Sequence, residues 1–136
     1  MKPPEVVRRE LVAQWLARAD EDLGVARHLL AEGLPYYVAI GFHAQQAAEK
    51  SLKAFLVARQ VEFPKTHDIG RLLDLVATVD AALADALSGA VQLTDYGVDV
   101  RYPGDLPQLG LDDARRAVEQ AADVLDRTTR GLQTTF

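Results

Sequence analysis

Cysteine is absent from the 136 residues, which excludes disulfides, thiolate metal sites and a cysteine nucleophile. Histidine is scarce. His28, His43 and His67 form neither an HExxH helix nor a Glu-x-x-His pair, so no metal site is expected. There is no glycine-rich loop of the P-loop or dinucleotide type and no serine in a nucleophile elbow, so neither an NTPase nor a cofactor is expected. No apolar run approaches a membrane span, and Met1-Lys2-Pro3-Pro4-Glu5 leads into charged helix without the apolar core of a signal peptide. The expected compartment is therefore the cytoplasm, with no membrane partner.

What is present has the balance of a folded globule: 49% hydrophobic and 26% charged residues, in a length suited to a single domain spanning 1–136. A formal charge of −5 argues against a protein that coats nucleic acid through a broad basic surface, because such binding runs on phosphate neutralisation. The charge is unevenly spread. Residues 50–71 carry 5 basic and 2 acidic side chains, whereas residues 72–136 carry 5 and 11. Any anion site is expected to draw on the middle block.

Helical periodicity runs through the chain. Val12, Trp15, Leu16, Ala19, Leu23, Ala26, Leu29 and Leu30 mark one face of a helix from about Val6 to Ala31, ended by Gly33 and Pro35. A second helix, from Tyr36 to Gln60, carries Ile40, Ala44, Ala47, Ala48, Phe55 and Leu56; its small residues suit close packing or a dimer contact. Thr66 or Asp68 caps a third with Ile69, Leu72, Leu73, Val76 and Val79. A fourth is expected over Ala81 to Tyr96 with Leu83, Leu87, Val91 and Leu93 inward, and a last from Asp112 to Arg130. No segment alternates as a strand, so the expected fold is all-α, an up-and-down bundle of four to five helices.

Three places carry candidate binding chemistry. His43, Gln46, Lys50 and Lys53 share one stripe of the second helix, either a solvated face or the wall of an anion cleft. Lys65, Thr66, His67 and Asp68 gather at a helix start, where backbone N–H groups favour anions; Thr66 and Asp68 also serve as plain caps. Arg101 beside Tyr102, in an otherwise acidic half, suits holding a phosphate and stacking a base, with an ion pair to Asp99 or Asp105 as the alternative.

Trp15 through Leu30, Phe42-His43-Ala44-Gln45-Gln46-Ala47-Ala48-Glu49-Lys50-Ser51-Leu52-Lys53-Ala54, Thr66-His67-Asp68-Ile69 and Arg101-Tyr102-Pro103, in that order and spacing, resemble a bacterial or archaeal HEPN domain over nearly the whole chain. The resemblance implies a helical bundle that binds nucleotides or RNA. It also implies a homodimer, often made beside a small nucleotidyltransferase as one half of a toxin–antitoxin pair. Ribonuclease members of the family follow an arginine, about four to six residues later, with a histidine that supplies acid–base assistance without metal. Here Arg101 is followed by Tyr102, Pro103, Gly104, Asp105, Leu106, Pro107 and Gln108. The expectation is a non-nucleolytic binding module. A divergent ribonuclease using His43 or His67 and a purely structural partner subunit are the alternatives.

Overall fold

The computed structural model describes residues 1–97, 104 and 108–135. Among them are five α-helices, α1 (Pro4–Ala31), α2 (Tyr37–Ala58), α3 (Ile69–Ala77), α4 (Ala81–Ala86) and α5 (Leu111–Gln133), plus a 3-10 helix (Ser88–Tyr96), and no strand. The all-α bundle is as expected, and the first, second and last helices begin and end within a few residues of the bounds read from the sequence. None of these helices is long and apolar enough to cross a membrane.

The ends follow from local chemistry. Gly33, at φ 69°, closes α1 with bonds from its own N–H to Leu30 O and from Leu34 N–H to Leu29 O. α2 ends in the same way, but Gln60 takes the left-handed position (φ 59°), with Val61 N–H donating to Leu56 O at 2.9 Å. Asp68 and Asp80 cap α3 and α4 by accepting from Arg71 N–H and Leu83 N–H.

α2 is the central helix. Fourteen of its 22 residues are buried, so it is enclosed on most of its circumference rather than on one stripe. Ala44, Ala47 and Ala48 are wholly buried within the bundle, which leaves that face unavailable for a contact between copies. α5 lies alongside in the same direction. At one end a Cβ on Gly41 would stand 3.2 Å from both Leu109 and Tyr96; at the other, Arg59 covers the Phe55 ring and donates to Thr135 Oγ1 at 3.1 Å. Between those ends a Cβ on Gly131 would reach within 3.1 Å of Phe55, so glycine is what lets α5 close on the largest core side chain.

The expected fourth helix is the main correction. It stops at Ala86, and Ser88–Tyr96 continues as a 3-10 helix. Leu87, Ala90 and Leu93 are buried and Tyr96 half-buried, at intervals of three, the period of a 3-10 turn; Val91, placed inward by a 3.6-residue period, is 45% exposed. Ser88 and Gly89, both weak helix formers, stand where the geometry changes. Val79, also expected inside, lies beyond the end of α3 and is exposed.

The changed period is testable by urea denaturation. Leu93→Ala should cost about 2–5 kcal/mol as a buried large-to-small change, and Val91→Ala no more than about 0.5 kcal/mol as a surface change. Equal costs would restore a continuous α-helix here.

Candidate functional site

The polar stripe of α2 faces two carboxylates. Asp22, on α1, divides its oxygens between His43 Nδ1 (2.9 Å) and Lys50 Nζ (2.5 Å). Glu49, on α2 itself, does the same one turn away: Oε1 accepts from His67 Nδ1 at 2.8 Å and Oε2 from Lys53 Nζ at 3.0 Å. Each carboxylate thus carries one imidazole and one lysine, and each imidazole presents Nδ1 as the donor, because an ionised carboxylate only accepts.

The second cluster is the more deeply buried. Glu49 is 3% exposed and Lys53 7%, and both come from the helix that the core encloses. Lys53 Nζ stands 5.6 Å from the Trp15 ring centre and 5.8 Å from that of Phe63, and those two rings meet edge-on at 6.5 Å. The aromatic faces replace part of the water that an ammonium needs. Gln45, with no exposed surface, donates from Nε2 to His67 O (2.9 Å) and to Glu49 Oε1 (3.2 Å), and its Oε1 accepts from Gln46 at 2.7 Å.

Of the residues singled out in the sequence, His67 and Lys53 meet at Glu49, and His43 and Lys50 at Asp22. Asp68 is an exposed cap, braced by its own N–H to Thr66 Oγ1, and Lys65 is exposed. Arg101 and Tyr102 lie outside the described residues, as do Asp99 and Asp105. The positive charge of Lys50 and Lys53 is answered locally, so the stripe attracts anions far less than its composition suggests. A groove of about 710 Å³ runs between α3, α4 and the 3-10 helix, lined among others by Asp68, Arg71, Asp74, Asp85 and Val91.

Asp22, Glu49 and Gln45 were not among the candidate residues. The spacing of Glu49 and Lys53, four apart on one helix, is a readable signal. Asp22 has none, because its partners become neighbours only when α1 pairs with α2.

Tyr96 packs against Gly41 at the start of α2. Burial pushes its phenol above the ordinary value of 10, and the negative charges of Asp113 and Asp95 add to this against an opposing effect from Arg116. A phenol pKa raised by folding contributes stability that is complete below pH 10 and lost as pH rises through the folded value. Replacing it by Tyr96→Phe should therefore flatten the decline of stability above pH 10, followed by urea melts across alkaline pH. An unchanged decline would contradict this.

Lys53→Ala should destabilise by about 3 kcal/mol, the lower end for stripping one partner from a buried pair, since His67 and Gln45 still serve Glu49. Lys50→Ala, at a wetter pair, should cost less in the same denaturation assay.

The chain matches the model of the HEPN domain family over residues 12–132. No curated protein matches it. Among solved structures it resembles an archaeal HEPN homologue, with 25% identity, TM-score 0.68, and coverage of 89% of this chain and 97% of that one. It also resembles a Thermus thermophilus protein, with 30% identity, TM-score 0.69, and coverage of 88% and 96%.

Proposed function

This chain belongs to the HEPN domain family, and from that premise we propose that it is a nucleotide- or RNA-binding module without ribonuclease activity. The observation that carries the reading is the run after Arg101, which reaches Gln108 without the histidine that nucleolytic members use. With Lys50 and Lys53 committed to carboxylates, phosphate recognition falls to Arg101 and Lys65. Tyr102 is the stacking surface and His67 a hydrogen-bonding edge. The module acts as a homodimer, in partnership with a nucleotidyltransferase as in toxin–antitoxin pairs of the family.

One observation favours a second reading, that of a divergent ribonuclease. His43 and His67 each have a carboxylate behind Nδ1, the orientation that acid–base catalysis by an imidazole employs.

Fluorescence polarisation with a labelled single-stranded RNA tests the binding. Affinity should fall as salt rises, because each phosphate contact releases counterions, and Arg101→Ala should weaken binding and reduce that slope. The same RNA incubated in chelator should stay intact. Cleavage abolished by Arg101→Ala and by His43→Ala or His67→Ala would establish the ribonuclease instead. Light scattering should give the mass of two chains; a mass of one chain at all concentrations would remove the dimer.

A further inference from the structure

Residues 69–96 pack α3 and the 3-10 helix against α2, and the backbone at the two ends of that segment meets at one side chain. On the outgoing side, Gln45 Nε2 donates to His67 O at 2.9 Å. On the returning side, Gly97 packs so closely that a Cβ there would stand 2.2 Å from Gln45 Cδ and 2.4 Å from its Oε1. The two ends are also tied to each other, Ile69 N–H donating to Thr94 Oγ1 at 3.1 Å. Because the amide lies inside the molecule with both ends of its dipole engaged, it has little freedom to yield.

We infer that Gln45 is a positioning residue for ligand recognition: it sets His67 and the backbone at Gly97 relative to each other, with Glu49 fixing the His67 ring. The Gly97 backbone is thereby anchored to the Gln45 amide. Any movement of the Gln45 amide shifts His67 and that anchor together. The conclusion rests on the binding reading above for its effect on affinity, and on geometry alone for its effect on His67.

Three variants test it, Gln45→Met, Gly97→Ala and, as a control of equal burial on α5, Val124→Ala. The readouts are polarisation with the labelled RNA, nitrogen and proton NMR of the His67 ring, and urea melts. Gln45→Met keeps the shape and removes the donors, so it should shift the His67 ring resonances and weaken RNA binding roughly tenfold, the scale of one lost buried hydrogen bond. Gly97→Ala should do the same, and adding Gln45→Ala to it should restore part of the lost stability by making room for the new methyl. Val124→Ala should lower stability while leaving affinity and the His67 ring unchanged.

An unchanged His67 ring in folded Gln45→Met would overturn the inference, as would an affinity loss no greater than that of Val124→Ala. If the unmodified protein binds no RNA, the binding reading fails, and the ring resonances then decide the positioning role by themselves. Should Gly97→Ala not fold, Gln45→Met decides it.

Discussion

A carboxylate buried at the centre of a helical bundle must be answered by donors, and Glu49 imposes that requirement here. It sits on the one helix that the core encloses on most sides, so its partners must come from within the protein. Lys53 supplies the charge, His67 a ring N–H and Gln45 an amide N–H. Each partner brings a further constraint. Lys53 needs the Trp15 and Phe63 rings, His67 fixes the chain between α2 and α3, and Gln45 receives the backbone at Gly97. The polar interior therefore connects α1, the loop before α3 and the end of the 3-10 helix, which the apolar core alone would hold less specifically.

The two carboxylates also change what the basic side chains mean. A stripe of His43, Lys50 and Lys53 on a helix is an anion site by composition and two neutralised clusters by geometry. Under the proposed binding function, the groups left for recognition are the outer edge of each imidazole and the basic residues beyond α2. Selection by hydrogen bonding and stacking, with few phosphate contacts, fits a chain whose net charge is −5.

The helices were legible because their apolar positions recur with the α-helical period and their ends carry glycine, proline and aspartate. The 3-10 segment was misread because Leu83, Leu87 and Val91, four apart, imitate that period. The competing three-residue series Leu87, Ala90, Leu93 and Tyr96 is equally present in the letters, and only packing against α2 selects it. In the site, the residue types were readable and their pairings were not. His67 stands out beside a helix start, yet nothing local ties it to Glu49, eighteen positions earlier. Asp22 and Lys50 are separated by twenty-eight positions and meet only through the pairing of α1 with α2. Gln45 looks like an ordinary glutamine on a helix; its weight comes from Gly97, more than fifty positions further on.

The central claim is that ligand recognition takes place on the face organised by Gln45, Glu49 and His67. Amide NMR shifts of isotope-labelled protein, titrated with a short single-stranded RNA, test it most directly. The account predicts shifts that saturate together and centre on His67 and Gly97. Shifts confined to Arg71, Asp74, Asp85 and Val91, around the groove of α3, α4 and the 3-10 helix, would contradict it.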